Sequence, residues 1–328
     1  MDMQALLTAL AGLTASLVTA AGAVQPDLTQ PIQPAQAAAV IQSTPSQNLA
    51  LSLGSLRDSL VNIICIADRD PLHSISGSGV MIDPRGIILT AAHIGQYFLL
   101  EERDSNQVTC VIRTGNPART AYFAKPAYVS TTWITENPDT LTAEAPKGSG
   151  ENDFALIAIT NTATETPLPS VFPYVPLASM EPIAKDQPVA VGAYAAQSLT
   201  SEQIKATFYP TLVFGSVMER YTFATSTVDA LSLGGSAVAQ EGSSGGGATN
   251  AQGQLIGVIT TSTVAGDLLS RDLHAITVNH IRRAFQAETG QTIDAYLKSE
   301  STADLVQDFA HTAEKLSKQL EKDIRRSR

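Results

Sequence analysis

Ser76-Gly77-Ser78-Gly79-Val80-Met81-Ile82-Asp83-Pro84-Arg85-Gly86-Ile87-Ile88-Leu89-Thr90-Ala91-Ala92-His93 is the stretch on which the fold turns. Two β-rich runs, 78–82 and 87–90, flank a Pro-Arg-Gly turn and read as a hairpin. The second run ends in the small residues Ala91 and Ala92, which let the backbone bend tightly, and His93 follows directly. An imidazole is thereby expected where a strand leaves its sheet, and imidazole is the side chain best suited to move a proton near neutral pH.

Outward from this hairpin, short runs rich in Val, Ile and Leu recur between Gly, Pro, Asn and Asp. Residues 60–67, 108–113, 155–160, 188–193, 211–217, 255–261 and 273–278 all read as strands, and no long amphipathic helix is expected before about Asn279. That succession favours an all-β barrel or sandwich over a parallel α/β sheet. Apolar residues make up 44% of the 328 and charged residues 16%, enough to build a large core. The net charge of −10 argues against a protein that binds the nucleic-acid phosphate backbone. Two cysteines, Cys65 and Cys110, exclude a four-cysteine zinc site and allow one intrachain bridge. They lie on two predicted strands and are either bonded, as export would permit, or buried free thiols.

Two further segments carry chemistry. In Glu151-Asn152-Asp153-Phe154-Ala155-Leu156-Ile157-Ala158-Ile159 an acid precedes an alternating apolar strand, and a carboxylate there can accept the Nδ1 proton of a histidine. In Glu241-Gly242-Ser243-Ser244-Gly245-Gly246-Gly247 glycines surround a serine. Their conformational freedom can turn the N–H groups of Gly242 and Ser244 toward one point beside the Ser244 hydroxyl. Base, orienting acid and hydroxyl are the parts that nucleophilic acyl transfer needs, with no metal or organic cofactor. Of the other histidines, His274 and His280 are expected to be packed or capping, and Asp139 lies in a Pro/Thr-rich loop without a following strand.

Together the three segments resemble the trypsin-like, chymotrypsin-fold serine peptidases over roughly residues 56–290. The resemblance to the bacterial HtrA-type branch is closest in Gly77-Ser78-Gly79-Val80 through Thr90-Ala91-Ala92-His93. Asp153-Phe154-Ala155-Leu156 is similar to the family's Asp-x-Ala-Leu, and Gly242-Ser243-Ser244-Gly245-Gly246 to its Gly-x-Ser-Gly-Gly. The order His, Asp, Ser is that of this fold and not of subtilisins or α/β-hydrolases. The resemblance implies two six-stranded Greek-key β-barrels with the cleft between them, and a serine endopeptidase acting on protein or peptide substrates. His93, Asp153 and Ser244 would form the triad, and the amides of Gly242 and Ser244 the oxyanion hole. Val238, Ala239 and Gln240, with Thr261 and Ser262, would line the substrate pocket. None of these is charged, which disfavours cleavage after Lys or Arg and suggests small or medium apolar residues. Ser243 stands where the digestive branch has an aspartate that pairs with a cleaved N-terminus, so that zymogen switch is not expected. Gly247 replaces a usual proline.

The ends extend the layout. Leu6 to Val24 carries no charge and is long enough to nearly cross a membrane, while Ala21-Gly22-Ala23 fits a signal-peptidase site. Export, with the protein membrane-anchored or secreted, is the expected localisation. Residues 1–24 are then an anchor or signal and 25–55 a linker; 56–175 form the first barrel and 176–290 the second. Residues 291–328 are read as a helical tail. Phe309, Ala313, Leu316, Leu320 and Ile324 recur at helical spacing, forming a stripe that either packs back on the domain or mediates self-association. Residues 301–328 are too few for the PDZ domain that many HtrA-type proteases carry, so regulation through one is not expected. A competing reading keeps the fold without the chemistry: an inactive trypsin-like barrel that binds peptides or proteins at the cell envelope.

Overall fold

The computed structural model describes residues 46–327 except 69, 102–107, 144–149, 198, 224–225, 263–266 and 299–300. The segment from Leu6 to Val24 and linker residues 25–45 lie outside the described residues. Among the described residues, no helix is long and apolar enough to cross a membrane. The expected linker ends in structure, because residues 47–55 belong to helix α1 (Gln47–Ser59), whose N-cap Ser46 accepts the Leu49 N–H.

Six strands form the first unit: β1 (Leu60–Ala67), β2 (Ile75–Asp83), β3 (Ile87–Thr90), β4 (Val108–Thr114), β5 (Arg119–Val129) and β6 (Ala155–Thr162). They close an antiparallel barrel in the order β1-β2-β3-β6-β5-β4. Strand β5 has no counterpart among the sequence-predicted strands, because Pro126 interrupts it. The structure accommodates that proline beside a register shift between Pro126 and Tyr128, as prolines in sheets require. Cys65 and Cys110 face each other across β1 and β4 and are disulfide-bonded.

The second unit departs from the expected six-stranded barrel. It is a seven-stranded sheet built from β7 (Pro188–Ala193), β8 (Thr211–Ser216), β9 (Glu219–Tyr221), β10 (Ala230–Ser232), β11 (Gly247–Thr249), β12 (Leu255–Ser262) and β13 (Leu273–Thr277). Its order is β8-β7-β11-β12-β13-β10-β9, so its two outermost strands are consecutive in the chain. The strand expected over 211–217 bends at its end and changes partner. Val217 N–H still bonds Gln187 O at 3.0 Å on the β7 side, whereas Met218 N–H bonds Ser232 O at 2.8 Å on the β10 side. The sheet therefore curls until its ends are separated by two residues of a single segment.

Helices also appear before Asn279. α2 (Ala92–Glu101), α3 (Thr131–Glu136) and α4 (Ser201–Ala206) precede α5 (Val278–Thr289), α6 (Ile293–Tyr296) and α7 (Thr302–Arg326). α2 carries no amphipathic signature because it is buried almost all round, from Ile94 to Leu100. The α7 stripe is used within the chain. Leu305, Phe309, Leu316, Leu320 and Ile324 are buried in the same core as the first barrel, and the Ser317 hydroxyl donates to Leu99 O at 2.6 Å. Of the two readings of the stripe, packing back on the domain is the one its burial supports.

Candidate active site

The register of two strands brings His93 and Asp153 together. β3 pairs with β6 so that Thr90 faces Ala155. The chain leaving β3 and the chain entering β6 therefore meet at one end of the barrel. His93, on the first turn of α2, places Nδ1 2.7 Å from Asp153 Oδ2, and its backbone N–H donates to Asp153 Oδ1 at 2.9 Å. A carboxylate can only accept, so Nδ1 carries the proton and Nε2 is left to accept one. Asp153 is 3% exposed, and the pair lies in a medium where charge interactions are strong. Burial pushes the His93 pKa down, but the charge and hydrogen bond of Asp153 outweigh it, and the net shift is upward from 6.5. Trp133, from α3, stands with its ring centroid 6.3 Å from that of His93.

The Ser244 loop is held from both units. Ser78 N–H, on β2, donates to Ser244 O at 2.8 Å. The Ser78 hydroxyl accepts the Tyr194 N–H at 2.9 Å and donates to Gly242 O at 2.8 Å. Gly245 has φ +85° and passes so close to β2 that a Cβ there would lie 2.0 Å from Ser78 O. At Gly247 a Cβ would meet side-chain methyls, Leu255 Cδ1 at 2.6 Å and Val80 Cγ2 at 2.8 Å.

Two peptide units in this loop are fixed by their carbonyls. Glu241 O accepts from Ala196 N–H at 2.8 Å, and Ser243 O accepts from Gly246 N–H at 2.9 Å. Because each peptide is planar, fixing the C=O also fixes the N–H on its opposite side, at Gly242 and at Ser244. Among the described residues neither amide donates to any acceptor. Two oriented, uncommitted N–H groups beside a serine hydroxyl are what stabilisation of an oxyanion requires. The Ser244 hydroxyl donates to Thr260 O at 3.3 Å. No hydrogen bond joins it to His93 among the described residues.

The residues expected to line a substrate pocket are buried where their side chains are described. Val238 and Ala239 are fully buried in the core of the second sheet and present no surface to a substrate. Gln240 is also buried, and its Nε2 donates to Ala237 O at 2.6 Å. Thr261 and Ser262 end β12, with their side chains outside the described residues. A charge does border this segment: Arg271 Nη1 donates to Ala239 O at 2.9 Å and to Gln197 Oε1 at 2.6 Å. Sequence reasoning had no signal for Arg271, which approaches through a loop far along the chain. Ser78 had one, its place between two glycines in the hairpin. Of the remaining histidines, His274 pairs with Asp272 at 2.8 Å, and His280 is buried with its N–H capped by Thr277 Oγ1 at 3.0 Å. Ser243 is buried, and its hydroxyl has no hydrogen-bond partner among the described residues.

Residues 77–258, more than half of the chain, match the family described as a trypsin-like peptidase domain. No curated protein matches the chain significantly.

Proposed function

The chain belongs to the family of trypsin-like peptidase domains, and on that premise we propose that it is a serine endopeptidase that hydrolyses peptide bonds through an acyl-enzyme. Ser244 Oγ exchanges its bond to Thr260 O for one to His93 Nε2 and attacks the scissile carbonyl carbon. His93 takes the hydroxyl proton and delivers it to the leaving amine, while Asp153 keeps the ring in the Nδ1–H tautomer and stabilises the imidazolium. The carbonyl oxygen, negative in the tetrahedral intermediate, lies between the amides of Gly242 and Ser244. Water then repeats the sequence on the acyl-enzyme, with His93 again as base.

The observation that carries this reading is the pair of unbonded amides at Gly242 and Ser244, aimed by the bonds to Glu241 O and Ser243 O. An inactive barrel has no need to hold two N–H groups uncommitted. The bond from Ser244 to Thr260 O favours the second reading, an inactive barrel that binds peptide or protein. Labelling with a fluorophosphonate separates the two, since it needs an activated serine. Wild-type protein is expected to label and Ser244→Ala and His93→Ala are not; a folded wild type that stays unlabelled overturns the peptidase reading.

Within the family the reading is the HtrA-like branch, on the match of the hairpin and the Thr90–His93 segment. Cleavage after Lys or Arg stays the disfavoured outcome on one ground, the cation of Arg271, which bonds Ala239 O in the segment before Ser244. Small or apolar residues before the scissile bond remain the proposed preference. Export to the cell envelope is supported by the apolar stretch from Leu6 to Val24 and by the Cys65–Cys110 bond, which belongs to oxidising compartments.

A further inference from the structure

Asp153 is not part of a strand. It ends a turn in which its N–H bonds Gly150 O at 3.3 Å and Phe154 N–H bonds Asn152 O at 2.9 Å, and β6 begins only at Ala155. This turn meets the second unit at His280, whose Nε2, on α5, lies 3.3 Å from Glu151 O. We propose that His280 is a positioning residue for Asp153, fixing through the Glu151 carbonyl the turn that presents the carboxylate to His93. The proposal rests on the peptidase reading for its consequence in catalysis, though not for its consequence on His93 itself.

The surroundings of His280 suit a ring held in one orientation. A carbonyl can only accept, so the bond to Glu151 requires the proton on Nε2. The ring is buried, with Phe223 edge-on at 5.1 Å between centroids, and Nδ1 faces Asp229 Oδ1 at 3.5 Å. Asp229 is itself fixed, accepting from Phe223 N–H at 2.7 Å, Thr227 Oγ1 at 2.9 Å and Thr222 Oγ1 at 3.1 Å, and pairing with Arg283. Burial, partly opposed by Asp229, lowers the His280 pKa from 6.5. The charged groups facing the ring are Asp229, from the segment before β10, and Arg283, from α5 itself; Glu151 faces it with its backbone.

The far end of the same helix makes a parallel contact with the first barrel. Glu288 accepts from Ser130 Oγ at 2.7 Å and Thr131 N–H at 2.9 Å, where α3 starts and carries Trp133 toward His93. α5 thus touches the acid's turn at one end and the helix behind the base at the other.

The test is an NMR titration of the His93 ring in the full chain, in wild type, His280→Ala, His280→Asn, His280→Gln and Asp153→Asn, with kcat and KM measured alongside. Asp153→Asn sets the direction of a lost carboxylate, a fall in the His93 pKa. His280→Ala and His280→Asn, the latter polar but too short to reach Glu151 O, are expected to move it the same way and to lower kcat roughly tenfold at unchanged KM, as loss of one positioning bond would. His280→Gln, whose amide reaches as far as Nε2, is expected to restore both. An unmoved His93 pKa in folded Ala and Asn variants overturns the proposal. So does a Gln variant as impaired as Ala with the same fall in melting temperature. The titration needs no activity, so an unlabelled wild type would remove the peptidase reading while the His93 shift still judged the positioning role.

Discussion

Ser78 and Gly242 stand 164 residues apart in the chain and meet through a single hydrogen bond, from the Ser78 hydroxyl to the Gly242 carbonyl at 2.8 Å. The same hydroxyl accepts the Tyr194 N–H, so one side chain of the first barrel holds two backbone groups of the second unit beside Ser244. Ser78→Ala leaves both groups without their partner, and a buried polar group so stranded costs about 1–3 kcal/mol. The expected outcome is a fall of roughly 10-fold or more in kcat/KM, with a lower melting temperature. Unchanged steady-state kinetics would show that the loop holds its shape without Ser78.

Asp153 raises the His93 pKa against the downward effect of burial, and this fixes the sign of two pH dependences. Protonated His93 gains most from Asp153, so the pair's contribution to stability is full below about pH 6.5 and is lost as pH rises through the higher folded value. On the proposed mechanism activity runs the other way, because His93 must be neutral to act as the base. The acidic limb of kcat/KM is expected above pH 6.5 in wild type and lower in Asp153→Asn, whose kcat is expected to fall by about 10⁴-fold through the wrong tautomer. A pH–rate profile flat from 5 to 9 would remove His93 as the base.

The disulfide closes a 45-residue loop between neighbouring strands β1 and β4. In the chain-entropy account a loop of that length contributes about 4 kcal/mol. Cys65→Ser combined with Cys110→Ser is expected to lower the urea midpoint accordingly while leaving the fold intact. Equal midpoints for the two proteins, each checked for free thiols, would show that the bond adds nothing.

Helix α7 seals the first barrel, and Leu320 lies 1% exposed within its stripe. Leu320→Ala is expected to cost about 2–5 kcal/mol, by lost burial and the cavity left behind. Equilibrium unfolding measures this directly. Substitution of Lys318, whose bond to Glu314 is on the exposed face, should change stability by about 0.5 kcal/mol or less.

The hairpin ending at His93, the acid before β6 and the glycine-rich turn at Ser244 were legible because each is a local pattern: alternation, a turn, a run of small residues. The α7 stripe was equally legible from its spacing, although not what it packs against. α2 was hidden because a helix buried on all sides has no polar face to mark it, and β5 because a proline breaks its pattern. The placement of Val238 and Ala239 was hidden for a related reason. Spacing along the chain says that Val238 and Ala239 lie near Ser244, but only packing decides that they turn into the core.

By itself, then, the sequence determined which residue types occupy the ends of strands and turns, and in what order, since period and turn chemistry act over a few residues. Only the tertiary structure decided which histidine meets an acid, which amides stay uncommitted, that Arg271 borders the expected pocket, and that His280 reaches Glu151. Those outcomes depend on strand register and on contacts between residues sixty to more than a hundred positions apart. Local propensity does not specify such contacts; closure of the barrel and packing of the two units against each other do.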